Sequence, residues 1–296
     1  MDPGSGSLAQ AKFRRKFYTG MKTNETRELA MPEVISQGRH HYRAGRWTSE
    51  VTEVVSEEPL RVHVNGRELA TLIATPTHVE ELVCGFLAME GIIGSRQDIT
   101  VFQYHSDDQA VWVRIPGVNA TRLDNFSRPT LSGCCGRGRP SLYFANDDDL
   151  SPVTSTVTIA PPEIFSFFTQ LSQASRRQHS GGLHAAAWSA HHEKLDVVRM
   201  DVGRHNALDK VYGWSLIENV STANGIVVFS GRLSSEVIIK VAHMGVGLII
   251  SNAAPTSLGL ELAESLNITT IGFTRDEEFS VYSHPERIPS IISLEI

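Results

Sequence analysis

From Pro161 to Phe273 short apolar runs alternate with longer amphipathic stretches, and this alternation constrains the fold more than any other feature of the chain. Pro161-Pro162 opens a helix with Ile164, Phe165, Phe168 and Leu171 on one side. His184 to Ser189 and Leu195 to Val202 read as strands, and Asn206 to Glu218 as a helix. Ile226 to Phe229, Leu248 to Ser251 and Thr269 to Phe273 are further strands, with helices over Leu233 to His243 and Ser257 to Leu266 between them. Strands separated by helices return through crossovers, which build βαβ units and a parallel or mixed sheet. Ligands of such sheets collect where strand ends meet helix starts. The polar clusters of this half fall at those junctions.

The first half has a different rhythm. Arg61-Val62-His63-Val64 alternates, Asn65-Gly66 supplies a two-residue hairpin turn, and Glu68 to Ile73 resumes the extended pattern. A helix begins at Pro76-Thr77, where Thr77 and Glu80 have capping-box spacing. Val79, Leu82, Val83, Phe86 and Leu87 form its apolar face, and Gly91 ends it. Ile99 to Tyr104 and Ala110 to Ile115 read as a second hairpin. Residues 1 to 44 are polar, basic and poor in periodic apolar residues, and are expected to form a flexible tail. The expected organisation is that tail, a smaller N-terminal α+β portion over 45–150 and an α/β portion over 151–296.

Composition narrows the function classes. A chain of 296 residues, 41% hydrophobic and 20% charged, suits a soluble globular protein. The net charge of −6 disfavours a nucleic-acid binder. No apolar stretch approaches the roughly 20 residues of a membrane span, and the expected location is the cytoplasm. Three cysteines, two of them adjacent, are no disulfide framework and fit a reducing compartment.

Five segments carry chemistry. Ser132 to Pro140 is a glycine-rich loop holding Cys134 and Cys135, with Arg137 and Arg139 close by. A thiolate is a sulfur nucleophile, and nearby cations favour it; the plainer reading is a surface loop with incidental cysteines. Cys84, inside an apolar helix, reads as a buried structural thiol. Ser180-Gly181-Gly182-Leu183-His184 enters a strand and offers an imidazole for proton or ligand. Asp201 to Lys210 packs Arg204, His205 and Asn206 into a strand-to-helix transition, where anions are attracted. Ser230-Gly231-Arg232-Leu233-Ser234-Ser235-Glu236 repeats that setting without a true phosphate-binding P-loop. Phe273-Thr274-Arg275-Asp276-Glu277-Glu278 follows the final strand, and reads either as a base or sugar contact or as an exposed acidic turn.

In order along the chain, these segments resemble the FdhD/NarQ family of formate dehydrogenase accessory sulfurtransferases. The resemblance runs from about Val55 to Ile288. It rests on Val64-Asn65-Gly66, Ala74-Thr75-Pro76, Gly85-Phe86 with Glu90 to Ile93, Gly181 to Ala186, Asp201 to Lys210, Ser230 to Ser234, Ala254-Pro255-Thr256 and Gly272 to Arg275. It implies a fold akin to cytidine deaminases: a mixed sheet with helices on both faces. It further implies a homodimer, a cysteine desulfurase as persulfide donor, and formate dehydrogenase as destination. The bound substrate is then the molybdenum cofactor, bis(molybdopterin guanine dinucleotide), with no resident metal. Its contacts fall on Phe273 to Glu278, and on His184, Arg204, His205, Asn206, Ser230 and Arg232 as the anion-binding floor.

One departure stands out. The family loop resembles Ser-Cys-Gly-x-Cys-Gly followed by a basic residue. Ungapped placement makes Cys134 the first cysteine and puts Arg137 at the second; a one-residue shift makes Cys135 the first. Either way the spaced pair is absent, and the chain reads as a single-thiol carrier. Two other readings compete. A zinc deaminase needs His-x-Glu and Pro-Cys-x-x-Cys; His78-Val79-Glu80 spells the first part, and the second is missing. A cofactor-binding chaperone would use the polar clusters without sulfur transfer.

Overall fold

In a computed structural model, residues 34–118, 150–176, 182–191 and 193–292 are described. Three sheets are present among them. Strands β1 (Val34–Arg43) and β2 (Arg46–Val55) form a two-stranded ribbon. Its turn, Ala44-Gly45, has φ of 49° and 85°, the left-handed pair that matches the twist of a tight hairpin. The ribbon corrects one expectation, because β1 lies within the stretch read as a flexible tail. Every residue of β1 is exposed, so no buried face imprints an apolar period on the sequence.

The second sheet has the order β4-β3-β6-β5, built from β3 (Glu58–Val64), β4 (Arg67–Ala74), β5 (Val101–His105) and β6 (Ala110–Arg114). Asn65 and Gly66 turn β3 into β4 at φ of 51° and 87°, as their sequence predicts. Helix α1 (Val79–Met89) lays Leu82, Val83, Phe86 and Leu87 on Leu60, Val62, Val64, Val111 and Val113. Its end follows the sequence: Gly91 takes φ 65°, Gly91 N donates to Ala88 O, and Ile92 N donates to Leu87 O. Its start does not. The N-cap is His78 at φ 52°, without a side-chain cap, and the Thr77 hydroxyl accepts from Lys210 Nζ at 3.3 Å. A buried ammonium is the stronger claimant on that oxygen, so no capping box forms.

The third sheet is mixed, with the order β12-β11-β10-β9-β7-β8. Strands β9 (Ile226–Phe229), β10 (Leu248–Ser251) and β11 (Thr269–Gly272) run parallel. Strands β7 (His184–Ser189) and β8 (Val197–Asp201) flank them on one side, and β12 (Ser280–Ser283), unforeseen in the sequence, pairs antiparallel on the other. Alternate residues feed two cores. Ala185, Ala187, Val228 and Ile250 meet α2 (Pro161–Arg176) on one face. Ala186, Trp188, Phe229 and Ile249 meet α3 (Arg204–Glu218), α4 (Ser235–His243) and α5 (Ser257–Ser265) on the other. Helices thus cover both faces, as expected of the α/β portion. In α2 the deeply buried phenylalanine is Phe167 rather than Phe168, because 164, 167 and 171 are the positions that share the inward face.

Helix α3 joins the two halves. Ala207, Leu208 and Val211 face the six-stranded sheet, while Tyr212, Leu216 and Ile217 pack on the N-terminal core. Its crossing with α1 brings backbones into contact. A Cβ on Gly85 would lie 1.8 Å from Asp209 O, and one on Gly213 would lie 1.7 Å from Glu81 O. Beside the crossing, Arg199 grips Glu81 bidentately, and Lys240 pairs with Asp209 in the interior.

Candidate functional site

The register gathers the polar segments on one edge of the six-stranded sheet. Phe229 lies opposite both Ala186 and Ser251, and Ile250 opposite Ile271. His184 begins β7 opposite Asp201, the last residue of β8. The starts of α3, α4 and α5 follow from the same edge. Segments 182–184, 201–206, 230–236 and 273–278, scattered in sequence, are therefore neighbours along one rim.

Asp201 anchors this rim from below. It is fully buried, with Oδ2 2.7 Å from Lys210 Nζ, itself fully buried. The same oxygen accepts from Thr75 N, and Oδ1 accepts from Gly203 N at 2.8 Å and Asn206 Nδ2 at 2.9 Å. Lys210 also donates to Thr75 O and Met200 O. Burial pulls the lysine pKa down and the Asp201 charge opposes the shift. Asn206 spends its amide nitrogen on Asp201 and Ile73 O, so its visible role is to tie α3 to the exit of β4. A Cβ on Gly203 would lie 2.8 Å from Asn206 Nδ2, so a side chain there would press on the amide that Asn206 donates to Asp201.

Above that anchor the rim is cationic. The Arg204 δ-carbon lies 3.3 Å from the Cβ position of Gly231, so its side chain runs along that glycine. His205 Nε2 sits 2.9 Å from Glu236 Oε2, at ion-pair distance but outside hydrogen-bond alignment. His184 is half-buried, and burial first, then Arg204 and His205, lowers its pKa, with Asp201 opposing. Neither N-cap residue, Gly203 of α3 nor Ser234 of α4, caps its helix through a side chain, and the positive ends of both helix dipoles face this rim. Ser230, in contrast, is occupied within the sheet: its hydroxyl accepts from Ala185 N at 2.8 Å. Arg232 is exposed.

The segment after β11 closes the row. Phe273 is exposed and held at φ 53°, an uncommon conformation for an aromatic residue. Thr274 is fully buried, with no hydrogen-bond partner for Oγ1 among the described residues. Arg275, Asp276, Glu277 and Glu278 are exposed on a turn closed by Arg275 N donating to Glu278 O. Tyr282 on β12 stands with its ring 6.4 Å from that of Phe273.

The sequence reading missed Glu236 as the neighbour of His205. Its Ser-Ser-Glu setting reads as an ordinary helix start, and only the tertiary contact gives it a partner. Cys134, Cys135, Arg137 and Arg139 lie outside the described residues. Cys84 is fully buried, and burial pushes its thiol up to about 12. Among the described residues no group of three or more His, Cys, Asp or Glu side chains is placed to hold a metal ion, and no helix is long and apolar enough to cross a membrane.

Comparison with known proteins places these features in context. The chain is 40% identical over 250 residues to the sulfur carrier protein FdhD of Bacillus pumilus (strain SAFR-032), covering 84% of this chain and 95% of the relative. It is 42% identical over 262 residues to the sulfur carrier protein FdhD of Staphylococcus haemolyticus (strain JCSC1435), covering 87% and 98%. The crystal structure of a protein assigned as a formate dehydrogenase accessory protein from Desulfotalea psychrophila superposes with a TM-score of 0.69 at 26% identity, over 87% of this chain and all of that one. The sequence model of the FdhD/NarQ family matches residues 55–289, and the chain belongs to that family.

Proposed function

We propose that this protein is a sulfur carrier serving formate dehydrogenase. A cysteine desulfurase supplies the sulfur as a persulfide. The thiolate of Cys134 or Cys135 attacks the terminal sulfur, takes it up as its own persulfide, and frees the desulfurase thiolate. A thiol reductant then supplies the two electrons that break the S–S bond, which returns the cysteine thiol and passes the outer sulfur at the sulfide level to the molybdenum cofactor, bis(molybdopterin guanine dinucleotide), carried as substrate. The proposed setting is a cytoplasmic homodimer. The names of the relatives support the carrier role.

The observation that carries the cofactor half is the convergence of His184, Arg204 and His205 beside the uncapped starts of α3 and α4. A rim of that kind suits a diphosphate. A guanidinium such as that of Arg204 can fork two phosphate oxygens, and the dipoles of α3 and α4 favour negative charge at their starts. Arg232 and Arg275 stand exposed on the same rim and extend its reach.

Two experiments test the reading. Incubation with a cysteine desulfurase and cysteine, followed by mass spectrometry, is expected to place a persulfide on Cys134 or Cys135; its absence from both sinks the carrier role and leaves the cofactor chaperone. Arg204→Ala and Arg232→Ala are each expected to weaken binding of guanosine diphosphate by about tenfold, the loss of one charge-assisted contact. Unchanged affinity in both removes the rim from the site.

A further inference from the structure

The rim holds a carboxylate where the reading above seats a phosphate. Glu236 lies in the first turn of α4, just past the N-cap Ser234, and its Oε2 stands 2.9 Å from His205 Nε2. His205 belongs to the first turn of α3, so the contact bridges the starts of two helices. Both helix dipoles favour negative charge at that place, and a protonated imidazole attracts it further. An incoming phosphate would use the same attractions.

The two acidic side chains near these cations differ in how firmly they are held. Asp201 is fully buried, 2.7 Å from Lys210 Nζ, and accepts from Thr75 N, Gly203 N and Asn206 Nδ2. A ligand could displace it only by breaking the anchor of α3. Glu236 and His205 keep 17% and 26% of their side chains exposed, and Nε2 is outside hydrogen-bond alignment. A misaligned contact is weaker than an aligned one. The glutamate side chain can leave it by rotation about its own torsions. Two hydroxyls on the same rim point to a ligand. Ser234 Oγ and Thr274 Oγ1 are buried, and neither has a hydrogen-bond partner among the described residues. Thr274 is fully buried, and leaving such a group unpaired is costly. They belong to the segments that follow β9 and β11, and a phosphate has the acceptor oxygens that both lack.

We propose that Glu236 is the resident counter-anion of the rim: its carboxylate stands against His205 until an arriving phosphate displaces it. This rests on the diphosphate reading above and adds the regulation of that site. A ligand that must first part an internal contact binds with reduced apparent affinity. It then stands beside a like charge, which opposes it further. A carrier that hands its cofactor on gains from both effects, because the returning carboxylate assists release.

The test is calorimetric titration of guanosine diphosphate into the full-length wild type, E236Q and E236D. E236Q is expected to bind about tenfold more tightly than the wild type, as one negative charge leaves the site. E236D keeps the charge and should stay within about threefold of the wild type. Melting curves without ligand check that each variant is folded; should E236Q prove too unstable, E236A replaces it, because loss of charge and not the new amide carries the effect. A glutamate that merely oriented His205 toward the ligand would give the opposite sign. Equal or weaker binding by E236Q, beside measurable binding by the wild type, overturns this inference and leaves the rim reading standing. Tightening by E236D as large as that by E236Q overturns it too, since shape and not charge would then be responsible. No binding by either the wild type or E236Q sinks the rim reading and this inference together.

Discussion

At the scale of single residues, environment separates side chains that look equivalent in the sequence. The chain has three cysteines, but Cys84 is fully buried and its thiol is pushed up to about 12. Almost none of it is thiolate at neutral pH, so it is expected to resist iodoacetamide in the native protein and to carry no persulfide; mass spectrometry of the alkylated protein checks both. Cys84→Ser, which buries a hydroxyl without a partner, should cost about 1–3 kcal/mol in urea unfolding. His184 is the corresponding case among the histidines. Its folded pKa lies below the unfolded value of 6.5, so the unfolded chain binds more protons between the two. Its contribution to stability is thus present above 6.5 and lost as pH falls toward the folded value. His184→Gln should accordingly reduce the drop in melting temperature between neutral and mildly acidic buffer. An unchanged drop would show that the imidazole is not held neutral.

At the scale of elements, α3 explains why its own sequence lacks a clear apolar stripe. It is covered by the sheet on one side and by the N-terminal core on the other, so apolar residues surround it instead of lining one face. Its contact with α1 depends on two glycines meeting backbone. Gly213→Ala is expected to destabilise by roughly 3 kcal/mol, since the added carbon can be accommodated only by separating the helices. Gly94→Ala, where an added Cβ meets nothing nearer than 3.8 Å, should stay within about 0.5 kcal/mol of wild type. Denaturant midpoints compare the two.

At the scale of the whole molecule, the Asp201–Lys210 pair links the rim to the N-terminal half. Lys210 holds the Thr75–Thr77 turn, and Asp201 holds the start of α3. Lys210→Met leaves a buried carboxylate without its countercharge, and is expected to cost about 3–5 kcal/mol. The same variant should also weaken guanosine diphosphate binding, because Arg204 and His205 are placed by the turn that Asp201 anchors. Normal stability together with normal binding would show that the pair is dispensable.

Much of this was legible in the sequence. The alternation of strand and helix, the Asn65-Gly66 turn and the Gly91 helix end are local effects, set by backbone preferences and periodic burial within a few residues. The gathering of His184, Arg204 and His205 was foreseeable in outline, because strand ends in such sheets share an edge. What each polar residue does there was not. Asn206 and Ser230 read as ligand contacts in the sequence, yet they hold the sheet and α3 together; Glu236 reads as a helix-start residue, yet it faces His205. The partners of these side chains are distant in sequence, so only the tertiary register chose among them. Strand β1 escaped the sequence for the opposite reason: it is exposed throughout, and without a buried face no apolar period forms to reveal a strand.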